Sequence, residues 1–464
     1  MKNLYLKNIA KAVDGKLFLK DNNEEATRKE AVSVVIDSRL AQKDGIFIAT
    51  KGERVDGHSF IPDVFDIGVL GVICEKEPEA KNGNYILVED SFIALKKLAK
   101  YYKDQLCTKT VGIIGSVGKT STKEMTASVL AQKYKVLKTE GNLNNEVGVP
   151  LTVLRIRDDH EAAVIEMGIS DFGEMSRLGE IVRPDCVIMT NIGPCHLESL
   201  KDLDGVLKAK TEVFDHMKEG GIAILNGDDE KLSSINLVNG IEPVFYGRSD
   251  KNDIYAEEID DHFLEGIDIK IGSLIGEMYA HVPLPGIHMV DNALAAAACG
   301  IVFGLDRDEI TAGIKNVRGI KGRSNPIAAK DYLVVDDCYN ANPRSMKAAL
   351  DLLSKTEKRK VAILGDMFEL GEDSDRLHGE IGEYAIDKKI DLLITAGKSS
   401  LKMYEAGSLR KDKNGADTEI RYYTDSDELK KALETEDILK KGDVILVKAS
   451  HGMHFENIVN TLTE

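Results

Sequence analysis

The sequence predicts an α/β protein of three domains. Its 464 residues correspond to roughly three domains of about 150 residues each. From Val111 onward, short apolar runs alternate with helix-length segments, which is typical of a parallel sheet covered by helices on both faces. A second series follows in LVVDD, VAILGD, DLLITAG and VILVKAS. We therefore expect a small N-terminal α/β domain (1–85), a central parallel-sheet domain (86–317) and a C-terminal Rossmann-like domain (318–464).

The first segment differs in pattern from the rest of the chain. It holds short alternating runs at 32–36 and 46–49 and an apolar run at 68–73. The stretch DSRLAQKDGIFIATKGERVDGH is dense in glycine and charge, which indicates loops that display polar groups. A helical pattern over 92–102 leads into the next domain.

The central segment contains the apolar runs VGIIG, KVLKT, AAVIEMG, VIMTNIG and IAILNGDD. Residues 253–283 alternate more like a small meander, and 289–305 has the pattern of a helix. The strands of this segment and of the third end in small or polar residues. In open parallel sheets ligands collect at the carboxyl ends of strands, so we expect binding sites there.

Composition excludes several classes of protein. The net charge is −17, from 61 basic and 78 acidic side chains, which disfavours nucleic acid or an anionic membrane as the main partner. Small anionic substrates stay possible, because local cations and helix N-termini can hold phosphates. The start of the chain lacks the long apolar core of a secretory signal, and the most apolar stretch, 293–305, is too short to span a bilayer. Six cysteines without a CxxC pair suggest reduced thiols. We expect a cytoplasmic protein without membrane insertion.

The segment VGIIGSVGKT predicts a phosphate-binding loop between a strand and a helix. Glycine lets backbone N–H groups close on phosphate oxygens, lysine supplies a cation, and threonine can ligate Mg²⁺. Ile113 occupies the place of the first glycine in the common G-x-x-x-x-G-K-[ST] loop, and an incidental glycine-rich turn is the alternative. We assign seven residues to the loop: Gly115, Ser116, Val117, Gly118, Lys119, Thr120 and Ser121. The central domain is thus a predicted P-loop ATPase domain.

Two other strand ends carry groups that suit Mg²⁺. Glu166 ends the run AAVIE, and His196 follows the next strand. Parallel strand order would bring both near the phosphate loop. An isolated acid or histidine is more often structural, but the two together beside such a loop favour a metal site. Lys210, in VLKAKTEVF, has by composition only the character of a helix lysine beside Lys208.

The whole chain resembles the Mur ligase family. GSVGKTSTKE is similar to the family's short phosphate loop, and NIGPCHLE, GIHMVDNALAA, VVDDCYNANPRSMKAAL, LGDMFELG and KASHGMHFENIV match further family positions in order. TEGNLNNEVGVPLTVL resembles a stretch typical of the family member that adds D-alanyl-D-alanine. DSR and KGERVDGH look like the family's UDP-sugar-binding loops.

This resemblance implies roles for individual residues. Catalytic residues would be Lys119, Glu166, His196 and Lys210. Two Mg²⁺ ions would be held by Thr120, Glu166, His196 and Lys210, the last as a carbamylated lysine. ATP would further contact His288 and Asn292 on the adenine side, with Arg323 and Asp337 closing over it from the C-terminal domain. Substrate-binding residues would be Ser38 and Arg39 for the uridine nucleotide, Asn142, Asn144 and Asn145 for the muramoyl peptide, and Asn340, Asn342 and Ser345 for the dipeptide.

The implied activity is ATP-dependent joining of D-Ala-D-Ala to UDP-MurNAc-tripeptide through an acyl phosphate. One alternative is a family member that adds a single amino acid, or glutamate to folate; TEGNLNNEVGVP and DDCYNANP argue against it. A second is a nucleotide-dependent switch without ligase chemistry, which the metal-side residues disfavour. For the asparagines of the 139–154 stretch, the alternative to substrate binding is a structural role in turns and helix caps. Nothing demands an oligomer, so a monomer is expected.

Overall fold

A computed structural model describes residues 1–22, 24–52, 55–79 and 82–463. Within these ranges the chain forms three β-sheets with helices packed against them. The predicted α/β class is confirmed. Two residues of the predicted KGERVDGH loop, Glu53 and Arg54, lie outside the described residues, as does Glu464 at the end of the third predicted domain.

The N-terminal unit is a five-stranded sheet in the part of it that is described, with the strand order β1-β5-β4-β3-β2. Its elements are α1 (Leu6–Ala12), β1 (Lys16–Phe18), β2 (Val34–Val35), β3 (Ile46–Ile48), α2 (Ile61–Ile67), β4 (Gly71–Cys74), β5 (Tyr85–Leu87) and α3 (Ser91–Lys103). β5 extends across the predicted boundary between residues 85 and 86, because its pairing with β1 and β4 continues to Leu87. Asp90 starts α3 by accepting a hydrogen bond from the Ile93 amide at 2.8 Å.

The central unit is built on one large sheet, which has nine strands among the described residues in the order β14-β13-β12-β11-β10-β9-β6-β8-β7. Its elements are β6 (Lys109–Ile114), α4 (Lys119–Leu130), β7 (Val136–Lys138), α5 (Gly148–Val153), β8 (Ala162–Glu166), α6 (Glu174–Val182), β9 (Cys186–Met189), α7 (Leu197–Leu200), α8 (Leu203–Thr211), β10 (Ile222–Asn226), β11 (Val244–Gly247), β12 (Ile254–Asp261), β13 (Ile267–Ser273), β14 (Met278–Val282), α9 (His288–Val302) and α10 (Arg307–Lys315). β12, β13 and β14 pair antiparallel, as the meander pattern predicts. β6 pairs with β8 and β9 in parallel, so the loops after these three strands lie side by side.

The C-terminal unit has, in its described part, six strands in the order β15-β16-β20-β17-β18-β19. Its elements are β15 (Asn325–Ala328), β16 (Leu333–Asp336), α11 (Pro343–Leu353), β17 (Lys360–Gly365), α12 (Ser374–Asp387), β18 (Leu392–Ala396), α13 (Leu401–Asn414), β19 (Glu419–Tyr423), α14 (Ser426–Thr435), β20 (Val444–Lys448) and α15 (Glu456–Thr463). All pairs are parallel except β15 with β16. The predicted boundary at 317 lies between α10 and β15.

One hydrophobic core joins the first two units. It runs from Leu6 of α1 through Leu98 of α3 to Leu178 of α6 and Leu225 of β10, all buried. α3 packs against α5 and α6 of the central unit. The N-terminal and central sheets are therefore fixed to each other by apolar burial.

The C-terminal unit has separate cores on the two faces of its sheet. The turn between β12 and β13 reaches it from the central unit, where Phe263 and Leu264 pack against one of those cores. Asp261 of the same turn forms an ion pair with Lys355. Among the described residues, no helix combines the length and apolarity that a bilayer span requires.

Candidate active site

A cavity of about 610 Å³ opens between the central and C-terminal units. The central unit lines it with the phosphate loop, the asparagine-rich loop, Glu166 and His196. The C-terminal unit adds Arg323, Tyr339, Asn340, Asn342, Ser345 and Glu369. The structure thus brings together most of the residues that the sequence analysis assigned to ATP, metal and dipeptide.

The phosphate loop is fixed by its neighbours at the strand ends. Gly115 has φ of +151°, and a Cβ there would lie 1.9 Å from Thr190 Oγ1, so only glycine fits. The Asn191 side chain accepts from the Val117 amide at 3.1 Å and donates to the Val117 carbonyl at 2.9 Å. The sequence analysis missed Asn191, although it follows a strand end in the quoted run VIMTNIG. Lys119 starts α4, so the helix N-terminus faces the loop.

Two lysine ammonium groups share one acceptor behind this loop. Lys119 Nζ donates to the Gly115 carbonyl at 2.9 Å, and Lys210 Nζ lies 3.3 Å from the same oxygen. Burial lowers the pKa of Lys119, and Glu166 opposes this shift. Burial, followed by repulsion from Lys119, lowers the pKa of Lys210 to about 8. Two close cations that are poorly solvated suit an anionic ligand such as a triphosphate. The role of Lys210 was implied by resemblance alone; its burial becomes visible only in the fold.

Glu166 ends β8 and is 2 % exposed. Its Oε1 accepts from Asn144 Nδ2 at 2.8 Å and from Thr120 Oγ1 at 3.2 Å. Its Oε2 is buried and has no hydrogen-bond partner within the described structure, and Lys123 Nζ lies 3.9 Å away. A buried acceptor without a partner beside a threonine hydroxyl fits a hard cation with oxygen ligands, such as Mg²⁺.

His196 also lines the cavity, and its backbone is in the left-handed region with φ of +50°. Its Nδ1 is 3.0 Å from the Glu369 carboxylate of the C-terminal unit. Burial lowers the pKa of His196, and the neighbouring Glu369 carboxylate opposes this shift. In the ranges that the structure describes, no three histidine, cysteine or acidic side chains are grouped as a metal site. Any Mg²⁺ here would therefore need further oxygen ligands from a bound phosphate or water.

Asn142, Asn144 and Asn145 of the asparagine-rich loop all line the cavity, and the last two also form hydrogen bonds with neighbouring parts of the protein. Asn145 Oδ1 accepts from the Val147 amide at 3.2 Å and the Gly148 amide at 2.9 Å, which is the turn and cap chemistry of the alternative interpretation. Asn144 instead holds Glu166. Asn142 lines the cavity.

A second cavity of about 100 Å³ adjoins the first and shares Val117, Gly118, Ser121, Arg323 and Ser345 with it. His288 lines it, and the buried Nδ1 of this ring has no hydrogen-bond partner within the described structure. Asn292 accepts from the Thr122 hydroxyl at 2.9 Å. The chamber continues from the phosphate loop toward α9.

Asp337 forms an ion pair in the wall of the second cavity. Lys448 Nζ, which is buried, donates to Asp337 Oδ2 at 2.7 Å and to the Asn340 carbonyl at 2.9 Å. Lys448 was missed as a site residue, although it ends the quoted strand VILVK. This lysine fixes the loop that carries Asn340 to the sheet.

Asn342 and Ser345 form a capping box at the start of α11. Asn342 Oδ1 accepts from the Ser345 amide at 2.9 Å, and Ser345 Oγ accepts from the Asn342 amide at 3.1 Å. Both residues also line the large cavity. Their first physical role is to begin the helix, so a contact with substrate has to be separated from capping by experiment.

Ser38 and Arg39 lie on the N-terminal unit and line neither cavity. The Arg39 side chain is 86 % exposed and forks onto Asp37, with Nη2 to Oδ2 at 2.6 Å. Their assignment to the uridine nucleotide stays a prediction.

Comparison with known proteins identifies the family. The Mur ligase middle domain matches residues 113–300, and the Mur ligase glutamate ligase domain matches 322–451. The UDP-N-acetylmuramoyl-tripeptide–D-alanyl-D-alanine ligase of Bacillus subtilis (strain 168) is 36 % identical over 464 residues, which covers 99 % of this chain and 98 % of that protein. The chain belongs to the Mur ligase family.

Other relatives agree with this membership. The Escherichia coli (strain K12) ligase of the same name is 35 % identical, covering 93 % of this Mur ligase and 94 % of its own length. MurF from Acinetobacter baumannii superposes with a TM-score of 0.88 at 30 % identity, covering 99 % and 98 % of the two chains. The MurF ligase of Thermotoga maritima in complex with ADP gives 0.80 at 27 % identity, covering 93 % and 97 %. The three-sheet architecture of this Mur ligase is thus that of solved MurF structures.

Proposed function

We propose that this Mur ligase uses ATP to join D-Ala-D-Ala to UDP-MurNAc-tripeptide, the activity named in its relatives. The observation that carries the proposal is the shared cavity. The phosphate loop, the Glu166 carboxylate and residues of the 340–345 loop of the C-terminal unit line one space. Phosphoryl transfer and amine attack can therefore take place on one bound substrate.

The first step makes the acceptor carboxylate reactive. One of its oxygens attacks the γ-phosphorus of ATP, the bond from that phosphorus to the bridging oxygen breaks, and ADP leaves with the electron pair. The transferred group carries negative charge throughout. Lys119 and Arg323 supply cations at the cavity, and the loop amides add donors without reorganisation.

The second step forms the amide bond. The unprotonated amine of D-Ala-D-Ala attacks the acyl carbon to give a tetrahedral species. The bond from that carbon to the phosphate oxygen then breaks, phosphate leaves with the electron pair, and the nitrogen loses its extra proton to the released phosphate. Water must be kept out, because it would hydrolyse the acyl phosphate. The C-terminal unit lines the cavity with Tyr339 and Asn340, so its presence limits the access of water on that side.

Thr120 and Glu166 fit one Mg²⁺, and we assign a second to His196 and Lys210. When bound, Mg²⁺ neutralises charge on the phosphates. An amine of lysine is no Mg²⁺ ligand, but its carbamate offers oxygens. The lowered pKa of Lys210 supports carbamylation, because CO₂ adds only to a neutral amine and a proton is then released.

The division of labour follows the three units. We propose that the N-terminal unit binds the UDP-sugar through Ser38 and Arg39, and that the loop with Asn340 and Asn342 receives the dipeptide. The Arg39 guanidinium is paired with Asp37 but remains exposed, so a ligand can reach it, which supports the first assignment. Catalysis by a monomer in the cytoplasm completes the proposal.

The deciding experiment offers ATP, Mg²⁺ and each tripeptide precursor, with lysine or diaminopimelate at position three. D-Ala-D-Ala, D-Ala and D-Glu are supplied separately as amines, and products are read by mass spectrometry. We expect ATP-dependent coupling of D-Ala-D-Ala alone, and none with Lys119→Ala. Coupling of a single amino acid in its place would overturn the assignment and favour another member of the family.

A further inference from the structure

Two turns of the C-terminal unit are joined by three hydrogen bonds that backbone amides donate, two to aspartate side chains and one to a carbonyl. The Gly322 amide donates to Asp336 Oδ2 at 2.8 Å, and the Ser324 amide donates to Asp337 Oδ1 at 3.0 Å. The Tyr339 amide donates to the Gly322 carbonyl at 3.1 Å. Gly322 has φ of +77°, and a Cβ there would lie 3.0 Å from the Cβ of Tyr339. The two carboxylates after β16 therefore hold the 322–324 turn directly against Tyr339.

This arrangement lays Arg323 on the face of Tyr339. The guanidinium carbon lies 4.1 Å from the ring centroid, which is a close cation–π distance. Arg323 Nε is buried and has no hydrogen-bond partner in the part of the chain that the structure describes. The side chain lines both cavities, beside the phosphate loop. A guanidinium held by its face leaves its N–H edge free for an anion.

Tyr384 of the same unit also makes cation–π contacts, and these can be explained by structure alone. Tyr384 lies below Lys388 at 5.0 Å and Lys347 at 5.7 Å. Both of those lysines are also paired with carboxylates, Lys388 with Asp351 at 2.5 Å and Lys347 with Glu380 at 3.4 Å. The cation on Tyr339 instead keeps a buried N–H without a partner in a cavity, which points to a ligand.

We propose that Tyr339 is a positioning residue for ATP: its ring holds the Arg323 guanidinium so that Arg323 meets the terminal phosphate across the domain boundary. Tyr339 itself makes no contact with phosphate in this proposal. The contribution of the ring should therefore appear with a nucleotide that has a γ-phosphate and disappear with ADP. The inference rests on the proposed use of ATP.

The test measures binding of ADP and of the non-hydrolysable analogue AMPPNP, each with Mg²⁺, by calorimetry on the full chain. For Tyr339→Leu we expect AMPPNP affinity to fall roughly 2- to 30-fold, the range of a cation–π contact, with ADP affinity unchanged. Tyr339→Phe keeps the ring and should bind both nucleotides as the wild type does. Tyr384→Leu is the matched control, because it removes a cation–π ring far from the phosphate loop, and it should change neither affinity.

Arg323→Lys tests the contact from the other partner, without disturbing the ring. It keeps the charge but loses the planar group, so it should lose AMPPNP affinity selectively, and adding Tyr339→Leu should then cost no more. Equal losses for ADP and AMPPNP, or no loss in either single variant, would overturn the proposal. Absence of nucleotide binding by the wild type would instead refute the proposed function.

Discussion

Lys210 offers the sharpest test of the metal-site chemistry. The structure places its ammonium beside Lys119 in a buried pocket and lowers its pKa from the usual 10.5 to about 8. At pH 7.5 about one quarter of such amines are neutral, against about 0.1 % for an exposed lysine. The amount of amine able to add CO₂ is thus roughly two hundred times greater at Lys210. We expect Lys210 to carry a carbamate in bicarbonate buffer.

The assay is ¹³C NMR of the protein in ¹³C-bicarbonate with ADP and Mg²⁺. A carbamate signal should be present in the wild type, absent in Lys210→Ala, and retained in Lys208→Ala, which removes the exposed neighbouring lysine. The folded-state pKa of this cation is depressed, so the neutral fraction, and with it the signal, should increase as pH is raised from 7 to 9. Lys210→Ala should also lose ligation, and short carboxylates should restore part of it. A wild type without the signal, or a signal that survives in Lys210→Ala, would refute the reasoning.

Three further substitutions test separate parts of the site. Lys119→Ala should reduce ligation at least about 1000-fold in a phosphate-release assay, while the melting temperature stays the same or rises, since a desolvated cation is removed. In steady-state kinetics Arg39→Ala should raise the KM for the UDP-precursor about tenfold with little change in the KM for ATP, because a hydrogen bond to a charged group is lost. A change chiefly in the KM for the dipeptide would contradict the domain assignment. Asn342→Ala removes the helix cap, so it should lower the free energy of unfolding by about 1 kcal/mol, and it should also impair the use of D-Ala-D-Ala. Asn342→Asp can still cap the helix, so it should restore the melting temperature but not dipeptide use. Recovery of both would show that Asn342 acts only as a helix cap.

Much of the fold was predictable because buried parallel strands leave a strong local signal. The runs around Val111, Ala162 and Val361 are apolar throughout and end in small or polar residues, and each is a buried strand. The edge strands β15 and β19 were not predicted. Their residues are mostly half-exposed and mixed in character, so periodicity and hydrophobicity do not distinguish them from loops.

The site was predictable where one local segment carries the chemistry. The phosphate loop is such a segment. Lys210 and Lys448 are different, because each is an ordinary lysine by composition and becomes a buried cation only through packing against distant strands. The cation on the Tyr339 ring is Arg323, which lies in a turn sixteen residues earlier in the chain. No rule of sequence spacing predicts this contact. The sequence also could not show which of the asparagines has a structural role, and it is Asn145 whose side chain accepts from the amides of the turn that leads into α5.

The first two units share one hydrophobic core, whereas the C-terminal unit on the other side of the cavity has cores of its own. The free energy needed to separate the units therefore differs between the two boundaries. Separating the first two units would expose a continuous apolar core. The contacts between the C-terminal and central units are weaker. They include the ion pair Asp261–Lys355, which contributes about 1 kcal/mol or less to stability. They also include two partly buried side chains, Phe263 and Leu264. A ligand that binds the closed arrangement a hundredfold more tightly than an open one contributes about 2.8 kcal/mol. This free energy is comparable with the stabilisation that the contacts between the C-terminal and central units provide. We therefore expect bound ligands to favour the arrangement in which the C-terminal unit lies against the cavity, and we expect the platform formed by the first two units to keep its shape.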